Sequence, residues 1–328
     1  MKNILITGGA GFIGYHLATS YVNEKDVFVY IIDDFSRGKD DVYFKRLISK
    51  SNFHALNIDL SNIDEMDSLK ETDFDIVYHF AATNGTNNFY LSPDKVLKNN
   101  ILSTINLLDC VNAKQFVFAS TCETYHGTIN MFGDKYLPTK EDVPLIIPDI
   151  EDRRASYGIS KIACESYIIN KFRNKATESN YKIIRYHNVY GERMGKDGHV
   201  IPDLINRIKK LESGDTLQMY GANQTRAFIY IKDAIRDTRR LTMKESMFKL
   251  DNIFNIGVQE ETNIGDLAYK LIKFSGKKLM LEDLCYPKNS VNRRLPDMKK
   301  FEERYGKYDH TTLDDGLRNT YNWYMQNN

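Results

Sequence analysis

The stretch that most constrains this chain lies at its start. Residues 2–7, KNILIT, form an apolar run that breaks directly into GGAGFIG and then into the helix-like GYHLATSYV. A buried strand, a glycine turn and a helix N-terminus in that order make an anion site. Free backbone N–H groups and the helix dipole point at a pyrophosphate, and Gly8, Gly11 and Gly14 let the backbone approach it closely. Glycine-rich turns are common, so the context decides. A second apolar strand spans 27–32 and ends in Asp33, about 20 residues past the turn. A carboxylate there accepts both hydroxyls of an adenosine ribose and repels a 2′-phosphate, which favours NAD over NADP as the cofactor. Arg37 reads as a solvated side chain of the polar loop that follows.

Apolar runs at 53–58, 75–82 (DIVYHFAA), 115–120 (QFVFAS) and 181–189 read as further strands. Between them, helical periodicity covers 94–111, with Ile101, Ile105 and Leu108 on one face, and 155–175, with Ile162, Tyr167, Ile168 and Phe172 as core or dimer candidates. Strands alternating with helices predict an α/β chain with a doubly wound, Rossmann-type parallel sheet. Residues 127–156 read as a long surface loop. From Gly191 the pattern changes, with short strands in LQMYG and RAFIYI, a helix over 203–211 and two more helices in the tail. FNIG at 254–257 returns to the main sheet. The expectation is a dinucleotide-binding domain of residues 1–187 plus about 227–257, and a smaller, mixed α/β C-terminal substrate domain of about 188–226 plus 258–328.

At 328 residues the chain buries a sizeable core, and 45 basic against 44 acidic residues leave a formal charge of +1. Nothing in that balance calls for a nucleic acid or an anionic membrane as partner. No apolar run approaches a membrane span, and the first strand starts too early to leave room for a signal peptide, so a cytoplasmic protein is expected. Cys110, Cys122, Cys164 and Cys285 are widely spread, without zinc spacing, and read as reduced thiols with no metal site.

Tyr157 and Lys161 stand four residues apart at the start of a helix, so both side chains leave one face. A phenol acts as a base near neutral pH only if its anion is stabilised, and an ammonium one turn away together with an oxidised nicotinamide ring would do so. After a dinucleotide turn and a strand ending in Ser120-Thr121, this spacing acquires meaning, because a hydroxyl there can share a proton with Tyr157 and a substrate alcohol. At the end of the third strand, Asp59 can bond an adenine amino group with Leu60 on the ring. The same spacing fits a plain helix N-cap for the Ser61-Asn62 turn.

TGGAGFIG, Asp33, Asp59-Leu60, FAA at 80–82, Asn100 in NNILSTINLL, STCETY, YGISK, RYHNVYGE, QTRAFIYIKD, FNIG and RRLPD occur in the order found in the extended short-chain dehydrogenase/reductases that act on nucleotide sugars. The chain resembles this family over essentially its whole length. The resemblance implies that the turn residues Gly8, Gly11, Phe12, Ile13 and Gly14 hold NAD together with Asp33, Asp59, Leu60, Ala81, Ala82, Asn100, Tyr157 and Lys161. It implies that Thr121, Tyr157 and Lys161 oxidise a sugar hydroxyl, usually at C4. It also implies that Asn188, Arg226 and Arg294 hold the nucleotide diphosphate, that Thr83 and Asn84 contact the sugar, and that the protein is a homodimer.

The discriminating stretch is Thr121-Cys122-Glu123. In similar 4-epimerases the pair after the Thr is small and neutral. In 4,6-dehydratases it is typically Asp-Glu, because a 4-keto sugar has an acidified C5–H for a carboxylate to remove while the C6 hydroxyl leaves as water. Glu123 holds the carboxylate position, and Cys122 replaces the Asp. The triplet also looks like that of a dehydratase making a 5,6-unsaturated nucleotide sugar. UDP-glucuronate decarboxylases carry Thr-Ser-Glu and a segment similar to RRLPD. The leading expectation is a nucleotide-sugar dehydratase, with a 4-epimerase, a decarboxylase and a non-catalytic NAD-dependent sensor as alternatives. His126 and His187 stand where the family usually has Gly and Phe, and each either lines the sugar pocket or is hydrogen-bonded structure.

Overall fold

Apolar strands and amphipathic helices alternate along the first two hundred residues or so, and they assemble as that alternation predicts. The computed structural model describes residues 1–147, 149–173, 180–195, 198–243, 252–284 and 291–327. In chain order these form β1 (Lys2–Thr7), α1 (Phe12–Thr19), β2 (Val27–Asp33), α2 (Val42–Ile48), β3 (Phe53–Asn57), β4 (Asp73–His79), α3 (Thr86–Leu91), α4 (Pro93–Cys110), β5 (Asn112–Thr121), α5 (His126–Phe132), α6 (Ala155–Arg173) and β6 (Asn180–Tyr186). There follow β7 (Val189–Tyr190), α7 (Val200–Lys210), β8 (Thr216–Tyr220), β9 (Thr225–Arg226), β10 (Ile229–Tyr230), α8 (Ile231–Met243), β11 (Ile253–Ile256), β12 (Thr262–Asn263), α9 (Ile264–Ser275), β13 (Met280–Leu284), β14 (Arg293–Arg294), α10 (Lys299–Tyr305) and α11 (Leu313–Asn327).

The main sheet runs β11-β6-β5-β4-β1-β2-β3. β1 pairs in parallel with β2 on one side (Thr7 beside Ile32) and with β4 on the other (Thr7 beside His79). The winding direction reverses at β1, so a crevice opens beyond the carboxyl ends of β1 and β4, where open parallel sheets bind ligands. Leu5, Ile32, Val77, Phe116 and Phe118 from the sheet pack against Leu107 and Leu108 of α4 and Ile168 of α6. Ile101, Tyr167 and Phe172, offered by the sequence as core or dimer positions, pack partly against the same core.

The chain divides into two compact units, residues 1–124, 149–185 and 235–254 in the first and 125–148, 186–234 and 255–328 in the second. The first is the Rossmann-like parallel sheet with its helices. The second is smaller and mixed α/β, with parallel pairs β7–β10 and β8–β13 and a three-stranded sheet ordered β12-β9-β14.

Several segments differ from the sequence expectation. β4 stops at His79 because Phe80 and Ala81 donate their N–H groups to the Thr7 carbonyl (3.2 Å) and hydroxyl (3.1 Å), which turns the chain out of the ladder. The stretch expected as a long loop opens with α5, which ends where Gly133 adopts a φ of +57°. The expected strand RAFIYI gives way to two short strands, β9 ending at Arg226 and β10 at Ile229–Tyr230. Ile231, Ala234, Ile235 and Leu241 instead recur at helical spacing and are buried in α8, and the described residues of the tail form three helices rather than the expected two.

His79 is buried between β1 and α4, hydrogen-bonded to the Thr7 hydroxyl (2.8 Å) and the Thr104 hydroxyl (3.1 Å). Burial, with a smaller contribution from the Lys161 charge, pushes its pKa down to about 3 from an ordinary 6.5. Between those values the unfolded chain takes up a proton that the folded chain refuses, so stability falls as pH drops below about 6.5. We predict that this residue removes about 1.4 kcal/mol per pH unit across that window. His79→Asn, less stable than wild type at pH 7, should close the gap in Tm as the buffer is acidified; parallel acid profiles would refute the assignment.

Candidate active site

The turn after β1 is made of glycine because side chains have no space there. Gly8 adopts a φ of +67°, and a Cβ on it would lie 2.8 Å from the Ala81 nitrogen. A Cβ on Gly14 would lie 2.2 Å from the Gly8 carbonyl oxygen. The turn therefore meets the loop after β4 backbone to backbone. α1 begins at Gly11 without a side-chain cap, so the N–H groups of Phe12 and Ile13 stand at a helix N-terminus suited to an anion.

Asp33, buried at the end of β2, accepts from the Ala10 and Phe35 N–H groups at 2.9 Å each. Burial pushes its pKa up, and the backbone N–H groups of Phe35, Ala10 and Gly11 hold it down. A carboxylate offers about four acceptor positions, so capacity remains for a further donor. Asp59 is exposed and accepts from the Ser61 N–H and hydroxyl at 2.8 Å each, while Asn62 caps the turn that follows. Leu60 is buried in the core of the first unit.

Asn100 of α4 ties the loop after β4 to α6. Its side-chain oxygen accepts from the Thr83 N–H (2.7 Å), and its amide donates to the Thr83 carbonyl (3.2 Å) and the Ser160 hydroxyl (3.0 Å). Ser160 in turn donates to the Tyr157 carbonyl (2.8 Å). Asn84 accepts from the Gly85 N–H next to it (2.6 Å). Ala82 packs beside Phe89, Val96 and Tyr157.

Tyr157 is buried with its ring stacked on Phe89, centroids 5.2 Å apart. Burial pushes its phenol well above the ordinary range, the Glu123 carboxylate adds to the rise, and the Arg37 guanidinium opposes it. Arg37 is exposed, as expected from its sequence context, but its guanidinium lies over Gly85, where a Cβ would sit 3.3 Å away. Lys161 is buried, donates to the Ala119 carbonyl at 2.8 Å, and holds its ammonium 4.4 Å from the Phe118 ring centroid and 5.8 Å from that of Tyr157. Burial pushes its pKa down to about 8.

Thr121 ends β5. Its hydroxyl accepts from the Glu123 N–H (3.2 Å), which leaves its own proton to donate. Cys122, like Cys110 and Cys164, is buried and takes part in no disulfide; Cys285 lies outside the described residues. The Glu123 carboxylate stands 3.8 Å from the Arg154 guanidinium, both side chains about a fifth exposed. Gly158 allows this turn to lie on α6, since a Cβ there would be 3.1 Å from the Glu123 carbonyl oxygen. Beneath the turn, Ser120 donates to Glu165 (2.5 Å), and Glu165 accepts two bonds from Arg185, at 3.0 and 2.6 Å.

In the second unit, Arg226 and Arg294 are register partners on β9 and β14. Arg226 donates to the Thr225 and Asn292 carbonyls and to Gln224. Arg294 is buried, whereas Arg293 is engaged by Glu261 and Asp134. Asn188, at a φ of +35°, donates to the Ala227 carbonyl (3.2 Å). His187 is buried on Asn255 (3.2 Å), which also accepts from the Tyr125 hydroxyl (2.8 Å), and His126 bonds Asn130 (2.9 Å), so both histidines are hydrogen-bonded side chains of the second unit.

Residues 4–257 match the model of the NAD dependent epimerase/dehydratase family. The chain is 31% identical to a putative UDP-glucose 4-epimerase of Methanocaldococcus jannaschii, over 99% of each chain. It is 30% identical to a UDP-N-acetyl-alpha-D-glucosaminuronate decarboxylase of Bacillus cytotoxicus, over 99% of this chain and 98% of that one. The crystal structure of UDP-glucuronic acid 4-epimerase from Bacillus cereus in complex with UDP-glucuronic acid and NAD superposes with a TM-score of 0.83 at 27% identity, covering 99% of each chain. The chain belongs to the NAD-dependent epimerase/dehydratase family, whose members modify nucleotide sugars. Among the described residues no helix is long and apolar enough to cross a membrane.

Sequence reasoning missed Arg154, Glu165 and Arg185. Two of these carried a signal: Glu165 stands four residues past Lys161 and so shares its helix face, and Arg154 precedes Tyr157 by one turn. The buried Lys161 ammonium has a measurable cost. Below about pH 8 the folded chain carries the charge at full desolvation, and from there to about 10.5 the cost is relieved as the folded chain gives up its proton before the unfolded one. Without added nucleotide, Lys161→Met should stabilise the protein at pH 7 by about 2 kcal/mol, after about 1 kcal/mol is lost with the Ala119 hydrogen bond. In thermal melts the gain should shrink from pH 8 to 10; a gain independent of pH would overturn this.

Proposed function

We propose that the protein is an NAD-dependent nucleotide-sugar dehydratase. The side-chain-free turn at Gly8, Gly11 and Gly14, the uncapped start of α1 and the spare acceptor capacity of Asp33 fit a dinucleotide pyrophosphate and an adenosine ribose. NAD, when bound, would supply the acceptor for a hydride from a sugar carbon and the donor that returns it, with a proton from the protein, after water has left, so that the net change is the loss of one water. Tyr157 takes the proton of the C4 hydroxyl, and Thr121 donates to the same oxygen. Lys161, with two of its three protons uncommitted to Ala119, holds positive charge beneath them and can bond a ribose hydroxyl. In the second unit, Arg226 and Arg294 stand in register on neighbouring strands, and two guanidinium-bearing residues so placed suit the charge and geometry of a diphosphate, which supports them, with Asn188, as its holders. Thr83 and Asn84, on the loop fixed by Asn100, would meet the sugar. The first unit would then take the dinucleotide and the second the nucleotide sugar, and we propose a homodimer, which a lone 38.1 kDa species in sedimentation would refute.

The observation that carries the dehydratase reading is Glu123, a carboxylate close enough to raise the Tyr157 phenol and faced by a guanidinium. Epimerisation needs no second base. A 4-keto sugar does present a C5 proton for one, and Glu123 can then return that proton to the departing C6 hydroxyl. The similarity to 4-epimerases supports the second reading, in which Glu123 is a bystander. Mass spectrometry of products from a panel of UDP-, dTDP- and GDP-linked hexoses separates them. A product lighter by one water, its formation lowered at least about 100-fold by Glu123→Gln, is the expected result. A product of unchanged mass, formed equally by the variant, would establish the epimerase.

A further inference from the structure

We propose that Arg154 is the positioning residue that keeps Glu123 ionised and aimed as the base of the second half-reaction, an inference that rests on the dehydratase reading. The two side chains come from different elements. Glu123 sits in the turn after β5, and Arg154 lies immediately before α6, three residues ahead of Tyr157. Arg154 is fixed at its backbone, since its N–H donates to Asp152 (2.9 Å) and the next N–H, that of Ala155, donates to the Asp152 carbonyl (2.9 Å). The start of α6 and the carboxylate-bearing turn are held together by the close approach of Gly158 to the Glu123 carbonyl. The guanidinium therefore reaches the carboxylate from a rigid base, at 3.8 Å, with about four-fifths of each side chain covered.

The need for a cation follows from what else faces Glu123. The Tyr157 phenol, on α6, is close enough for the two groups to resist being charged together, and the Cys122 thiol of the same turn acts on the phenol in the same sense. The Arg37 guanidinium, from the loop after β2, opposes them at the phenol. A proton taken from the sugar alcohol by Tyr157 and one taken from C5 by Glu123 would otherwise compete for one uncompensated region of negative charge. An arginine within about 4 Å favours the ionised carboxylate by about one to three pKa units. Its fixed charge does this without itself titrating, which a lysine or histidine in that place would not guarantee.

The test measures deuterium uptake at C5 in D2O by the full-length protein with NAD and the convertible sugar from the UDP-, dTDP- and GDP-hexose panel, across pD 5 to 9. Wild type, Arg154→Gln, Arg154→Lys and Glu123→Gln are compared, together with the double variant in thermal unfolding. Arg154→Gln is expected to move the acid limb of exchange upward by about one unit, with about a tenfold loss below both limbs that narrows as pD rises. KM should be unchanged, and Arg154→Lys should restore most of the shift. An acid limb that stays in place in Arg154→Gln would overturn the proposal, as would additive effects of the two single variants on Tm at pH 7. If no variant incorporates deuterium from any sugar while the two residues still couple in thermal unfolding, the dehydratase reading fails first, and the ion pair is a feature of stability alone.

Discussion

The buried pair of Glu165 and Arg185 is the contact on which the geometry of the first unit turns. Glu165 belongs to α6, Arg185 to β6 and Ser120 to β5, and one carboxylate engages both of the others. α6 carries Tyr157 and Lys161, and β5 ends in Thr121 and leads into the turn that carries Glu123, so the placement of these groups is set from below by a fully desolvated ion pair. Such pairs add little net stability against a well-packed apolar alternative, yet removal of one partner costs about 3–5 kcal/mol because the other charge is stranded. The arrangement is one that either closes fully or does not form. That property suits a site where a shift of an ångström separates reactive from unreactive groups.

Electrostatic strain is distributed unevenly around this frame. In the first unit an ammonium and a phenol are both buried and each is pushed toward its neutral form; Lys161 donates to a carbonyl and lies over a ring face, and the Glu165 carboxylate only partly offsets the cost of burying its charge. In the second, Arg293 is satisfied by two carboxylates, whereas its neighbour Arg294 is the register partner of another arginine. Adjacent residues of the RRLPD segment thus have different surroundings: Arg293 is paired with carboxylates, and Arg294 is buried in register with Arg226. Groups held in unfavourable electrostatic company cluster where ligands of opposite charge bind.

Much of this was readable before any coordinates. The alternation of apolar runs with helical periodicity pointed to a doubly wound parallel sheet, and the glycine turn announced itself through what surrounds it. The four-residue spacing put Tyr157 and Lys161 on one helix face, and the turn and strand ahead of them gave that spacing its meaning. What escaped was nonlocal or very short. α5 is a helix of seven residues and the strands after residue 188 include several of two, lengths at which periodicity has nothing to repeat. The link between Glu165 and Arg185 spans twenty positions, and no local pattern encodes it. Asp59 and Leu60 show the opposite case: spacing offered two readings, and the described geometry is an Asx turn beside a core leucine.

Asp33 has a double duty that bears on coenzyme engineering. The carboxylate that would discriminate against a phosphorylated ribose is also the acceptor for two backbone donors, one in the glycine turn and one in the loop that leaves β2. Exchanging it for a small neutral residue to admit the larger coenzyme would strand both donors in a buried place, at about 1–3 kcal/mol each. A redesign that succeeds would have to supply a substitute acceptor at the same time as a new cation. On the proposed reading, cofactor choice and the integrity of the turn would depend on the same two oxygens.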